Sequence, residues 1–224
     1  MKITSLAALI VGLAAATAIP AGAADLATNT FTFAPNMAIP DNSLVGVADS
    51  RTVAGQVGII TNLNVSLNIS GGYVGDLYGY LTYGSQFAIL LNREGRTSTS
   101  PYGYLDSGLN VTLSDSAVNG DIHTYRLVVN PGGGALTGMW QPDGRSVHPY
   151  NSLDTTPRTA MLNSFQGLDP NGTWTLYLAD ASGGGISTLN SWSLEIITVP
   201  EPRTWALFAV GTTLMFWLRR KKNG

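Results

Sequence analysis

The chain contains no cysteine among its 224 residues, which excludes disulfides, zinc–thiolate sites and a cysteine nucleophile. Charge is also scarce: Asp, Glu, Lys and Arg make up 12% of the residues and the formal net charge is −2. The body carries no basic stretch, so nucleic acid is excluded as a partner. There are two histidines, His123 and His148, and neither stands in a nucleophile-elbow or subtilisin-like context. The glycine-rich segments lack the Gly-Lys-Ser/Thr ending and following helix of a phosphate cradle. The chain therefore reads as a non-enzyme with no required cofactor. A hydrolase assembled around His123 or His148 is the least favoured alternative.

What is present begins at the two ends. Met1-Lys2 gives a positive start, Leu6 to Ile19 is apolar, and Ala21-Gly22-Ala23 offers the small residues that signal peptidase requires. Residues 1–23 are thus expected to be a signal peptide handled by signal peptidase and the export machinery. At the other end Val199-Pro200-Glu201-Pro202 precedes an apolar run, residues 205–218, closed by Arg219-Arg220-Lys221-Lys222. Fourteen residues reach roughly 21 Å as a helix, against a hydrocarbon core of about 30 Å. Snorkelling basic side chains or bilayer thinning makes up the difference in a transmembrane segment. The basic cluster stays cytoplasmic by the positive-inside tendency, which leaves the body on the far side.

This tail, with its Pro-Glu-Pro triplet, apolar segment and Arg219-Arg220, resembles the PEP-CTERM sorting signal of Gram-negative bacteria. The resemblance implies processing by an exosortase, a membrane-embedded cysteine transpeptidase, in a setting of exopolysaccharide. The motif residues are then Val199, Pro200, Glu201, Pro202, Arg219 and Arg220, as a recognition site and not a catalytic one. The residues alone also allow a plain anchor in which the prolines stiffen a spacer.

Between the ends, roughly 175 residues suffice for one domain with a real core. Short β-prone runs are separated by turn residues: 57–69, 77–82, 86–91, 109–113, 124–129, 174–178 and 192–198. Leu63, Val65, Leu67 and Ile69 alternate with Asn64, Ser66 and Asn68, the pattern of a half-buried antiparallel strand. Asp169-Pro170-Asn171-Gly172, Gly183-Gly184-Gly185 and Pro131-Gly132-Gly133-Gly134 read as loops at the ends of a two-sheet sandwich. Trp174 and Trp192 are expected in the core, each indole N–H on a backbone acceptor.

Two stretches carry a further pattern: Ser66 to Leu91 with Gly75-Asp76-Leu77, and Phe165 to Ile196 with Asn171-Gly172-Thr173-Trp174 and Asn190-Ser191-Trp192-Ser193-Leu194. Together with Ile39-Pro40-Asp41 they resemble the P domain that follows the catalytic domain of proprotein convertases. The resemblance implies an all-β, jelly-roll-like antiparallel sandwich over residues 24–198, between the signal peptide and the 199–224 sorting region. The chain departs from the family pattern at Gly71-Gly72-Tyr73 and Thr82-Tyr83-Gly84-Ser85. The family's protease is not among these residues.

Binding chemistry rests on scattered candidates. Loop aspartates could ligate a structural calcium ion, Asp76 and Asp180 foremost, although solvated loops and Asx turns account for the same residues. Tyr102, Tyr104 and Trp140 are the candidate glycan contacts. Tyr78 and Tyr80 share one strand parity, opposite to Leu77 and Leu81. They either fill the gap between sheets, the favoured reading, or form a wet aromatic face. The expected protein is transiently held in the inner membrane with its body in the periplasm. It then reaches the cell surface or extracellular matrix, associated with exopolysaccharide. The alternative is a module there that binds a polysaccharide or a surface protein.

Overall fold

A computed structural model describes residues 25–199 and Arg219. The expected signal peptide, the Pro200–Pro202 triplet, the 205–218 segment and Arg220 lie outside the described residues. Among the described residues no helix is long and apolar enough to cross a membrane.

Among the described residues ten strands form two sheets: β1 (Ala27–Phe33), β2 (Met37–Ile39), β3 (Ser43–Val53), β4 (Ile59–Gly71), β5 (Leu77–Tyr83), β6 (Gln86–Asn92), β7 (Leu109–Leu113), β8 (Leu136–Trp140), β9 (Gly172–Asp180) and β10 (Ser187–Val199). The larger sheet runs β1-β10-β4-β7-β8, with β2 also on β10, and the smaller runs β3-β9-β5-β6. The chain is therefore all-β in two sheets, and its pairings are antiparallel except that β7 and β8 run parallel. That parallel pair is the exception in two antiparallel-rich sheets. The connection from β7 to β8 passes through the segment 114–135, long enough to return the chain to the same end of the sheet.

The alternation in β4 does what its sequence prescribes. Leu63, Val65, Leu67 and Ile69 are buried, and Leu194, Ile196 and Trp192 lie beside them across the β4–β10 ladder. From the smaller sheet Leu77, Leu81, Leu176, Leu178 and Trp174 contribute the facing layer of the same core. Trp174 is stacked on Tyr83 at 4.2 Å and tilted against Phe165 at 5.1 Å. Its Nε1–H donates to the Pro170 carbonyl at 3.0 Å. Trp192 is equally buried, but its indole donates to the Asp49 carboxylate at 2.7 Å, a side chain where a backbone acceptor was expected.

One expected strand is not a strand. Residues 124–129 are rich in β-branched types, yet Ile122–Leu127 form 3-10 turns. Asp121 starts them by accepting the His123 N–H on its carboxylate. Ile122 and Tyr125, three apart, are both buried, the period of that tighter helix. Gly46 marks a different irregularity, one of several register breaks, in β3 opposite β9. Its φ is +57°, and a Cβ there would stand 2.4 Å from the Leu178 carbonyl oxygen, so only glycine fits.

Candidate functional site

Strand β5 turns Leu77, Gly79 and Leu81 into the core and Tyr78 and Tyr80 outward, half-buried. The tyrosines thus do not fill the gap between sheets. They sit on the outer face of the smaller sheet, where Tyr80 faces Tyr177 of β9 in register. The Tyr80 and Tyr177 rings stack at 4.6 Å and 18°, and Tyr78 meets Tyr177 edge-on at 6.3 Å. The Tyr177 hydroxyl donates to the Leu44 carbonyl, fixing the ring against β3. Burial, with the neighbouring phenols Tyr80 and Tyr177, pushes the Tyr78 hydroxyl up to about 12, so it stays a neutral donor.

Tyr78 and Tyr80 floor a groove of about 660 Å³. Leu44, Phe87 and Pro149 give its lining apolar surface, His148 brings an imidazole, and Thr82, Ser85, Gln86 and Ser146 bring hydroxyls and an amide. A second hollow of about 500 Å³, against Tyr83, Leu168, Asp169 and Thr173, shares Gly84, Ser85 and Gln86 with the first. The β5–β6 turn therefore lines both depressions.

The buried polar groups cluster elsewhere. His123 is fully buried, with Nδ1 2.7 Å from Asp143 Oδ2 and Nε2 2.9 Å from the Arg96 carbonyl. A carbonyl only accepts, so Nε2 carries a proton and is committed to that bond. Arg145 ties Asp143 to Asp121, donating to Asp121 Oδ2 at 2.7 Å. Glu94 lies in the same region, and burial together with the Asp143 charge pushes its carboxyl well above the usual range. Asp106 accepts from Tyr125 Oη (2.6 Å), Arg126 Nε (2.8 Å) and Gly133 N (2.9 Å). Burial raises this carboxyl, but those three donors outweigh it and hold it below the usual value. Neither histidine has a serine or threonine hydroxyl as partner among the described residues: His148, exposed, accepts only the Tyr150 N–H.

Asp76 and Asp180, named for calcium, do come together, because Asp180 lies opposite Leu77 in the β5–β9 ladder. A guanidinium pairs with the first of them. Arg93 Nη2 is 3.4 Å from Asp76 Oδ1, and its Nε donates to the Gly75 carbonyl at 2.8 Å. Asp180 Oδ1 accepts the Ser182 N–H at 3.0 Å, while Oδ2 is buried without a partner among the described residues. Burial, then the Asp180 charge, pushes Asp76 up to about 6. Two carboxylates, one of them paired with an arginine, fall short of the six to eight oxygens calcium takes, and no group of three acidic or histidine side chains is placed to hold a metal among the described residues.

The three aromatic residues proposed for glycan contact are dispersed. Trp140 is 1% exposed and its Nε1–H donates to the Thr137 carbonyl, so it offers no face to a ligand. Tyr104 is half-buried, packed edge-on against Tyr125 at 4.7 Å with Arg126 over its ring. Tyr102 is 66% exposed and outside the groove. The residues that do converge are Tyr78, Tyr80, Phe87 and His148. Strand parity held a signal for the first two. Of the sorting residues, Val199 ends β10, Arg219 is exposed, and the others lie outside the described residues.

No family model matches this chain, and no curated protein matches it. Among solved structures it is similar to a serine protease of Aeromonas sobria in a complex with a chaperone, at 16% identity and a TM-score of 0.45, over 79% of this chain and 28% of that one. It is likewise similar to the serine protease of Aeromonas sobria alone, at 16% identity and a TM-score of 0.44, over 78% of this chain and 27% of that one. The chain thus spans little more than a quarter of the solved chains it matches, and likeness at this level assigns neither activity nor partner.

Proposed function

We propose that this chain is an exported, non-catalytic binding module of P-domain-like, jelly-roll type that works at the cell surface or in the extracellular matrix. The 1–23 segment delivers it, and an exosortase-type enzyme sorts it through residues 199–224. The observation that carries the reading is the order of the C-terminal residues: the Pro-Glu-Pro triplet, the apolar 205–218 run and the Arg219-Arg220 stop follow directly on Val199, the last residue of β10. A tail so placed can be held in the membrane and cut while the sandwich stands free of it. Binding is favoured over catalysis by the histidines, since His123 has both ring nitrogens committed and His148 has no acidic partner among the described residues.

The test is the intact mass and C-terminal sequence of the native protein recovered from its own cells and medium, beside a Pro200→Ala, Glu201→Ala variant. A wild-type chain ending between Val199 and Pro202, with an uncut variant, is expected. A full tail in both would leave a simple membrane anchor.

A further inference from the structure

We infer that the groove over the outer tyrosines of the smaller sheet binds a neutral polysaccharide chain. The inference rests on the binding-module reading above and gives it a ligand class. Four observations bear on it.

The aromatic floor is held in place before any ligand arrives. Tyr80 is stacked on Tyr177 at 4.6 Å, and Tyr177 is pinned by its hydroxyl to the Leu44 carbonyl. The face of such a ring is electron-rich and receives the C–H face of a pyranose, and a ring already ordered loses little freedom on binding. Phe87, 42% exposed at the rim, adds a second apolar surface.

The polar lining suits hydroxyl groups. Thr82, Ser85 and Ser146 each donate and accept, and the Gln86 amide does both at separate atoms. A sugar presents donors and acceptors together and needs this mixture.

Charge selects against other ligands. No Asp, Glu, Lys or Arg is among the residues lining the groove and His148 is its one ionisable base, so a uronate polymer, a phosphate ester or an acidic peptide would find no permanent cation there. A buried charge without a partner is costly, whereas a neutral polyol pays no such penalty.

Size favours a carbohydrate over a protein partner. The groove lies within the range of about 300–1,000 Å³ typical of small-molecule sites and is concave, unlike the flat patch of about 800 Å² a protein partner ordinarily covers. The second hollow shares Gly84, Ser85 and Gln86 with it and adds Asp169, a carboxylate that repels an acidic polymer and accepts from a sugar hydroxyl.

Affinity electrophoresis of the native protein through gels containing hydroxyethyl cellulose, galactomannan or dextran, with polygalacturonate as the acidic counterpart, tests this. Retardation by at least one neutral polymer is expected, weakened tenfold or more in Tyr80→Ala and in Phe87→Ser and unchanged in Tyr102→Ala. Phe87 is exposed, so Phe87→Ser decides the matter if Tyr80→Ala loses its melting transition. The inference is overturned if no neutral gel slows the wild type, if only polygalacturonate does, or if the folded groove variants are slowed as the wild type is. Binding by a protein whose tail proves uncut would retain the groove and reject the sorting; a cut tail with no neutral-polymer binding would do the reverse.

Discussion

At the residue scale the informative positions are buried and polar. Asp76 pairs with Arg93 at 3.4 Å and has Asp180 as a neighbouring carboxyl, so folding places two carboxyls near one compensating charge. A carboxyl raised by folding binds its proton more tightly in the native than in the unfolded state. Between its ordinary 3.8 and about 6, the native Asp76 retains a proton that the unfolded chain has lost. Its contribution to stability is therefore present below that window and lost as pH rises through it, by up to about 3 kcal/mol. Thermal unfolding of wild type and Asp76→Asn from pH 4 to 6.5 should show a steeper decline in the wild type. Parallel curves would remove Asp76 as the source. Composition shows that aspartates lie in turns, but not that Arg93 would pair with one of them. Trp140 illustrates the same gap: an aromatic residue in a polar stretch looks exposed, and only the parallel pairing of β8 with β7 turns it into the core.

At the scale of the element, strand content was legible wherever period-two alternation ran uninterrupted. β4, β5, β7 and β10 follow from Leu63–Ile69, Leu77–Leu81, Leu109–Leu113 and Trp192–Ile196, because each has one face to bury. The edge strands β1, β3 and β8 were not, since half-exposed backbone tolerates mixed composition. The 3-10 turns at Ile122–Leu127 were hidden by β-branched residues whose local preference yields to the burial of His123 and Tyr125. A short turn at Val74–Asp76 makes a tighter demand. The Gly75 N–H donates to the Tyr104 carbonyl at 2.9 Å, and a Cβ on Gly75 would stand 2.4 Å from the Tyr102 carbonyl oxygen and 2.6 Å from the Tyr104 nitrogen. Backbone cannot yield as a side-chain end does, so Gly75→Ala should cost about 1–3 kcal/mol or more in urea unfolding. Gly55→Ala, with open space around its Cβ but φ of +75°, should cost about 1–2 kcal/mol from backbone strain alone. Equal costs at the two positions would mean that the 102–104 segment moves aside freely.

At the scale of the molecule, β10 joins the two ends of the chain. It pairs with β4 on one side and with β1 and β2 on the other, from Ser187 to Val199. The larger sheet is thus incomplete until the last strand has been placed between β4 and β1. The strand also sets how far the chain can be shortened from the C-terminal side without loss of the sheet. Val199 is paired with Ile59, and Ile196 and Thr198 are 0% and 1% exposed. Pro200 has no N–H to offer a ladder. A chain ending at Pro202 keeps every described pairing of β10 and should match the uncut protein within about 0.5 kcal/mol in urea unfolding, the range of a surface change. A chain ending at Glu195 loses the buried Ile196 side chain as well as the final ladder, and should be destabilised by at least the roughly 2–5 kcal/mol of a large-to-small core substitution. Were the chain ending at Pro202 to melt as early as the one ending at Glu195, the tail would be part of the fold. Cleavage at the triplet would then unfold the module it is proposed to release.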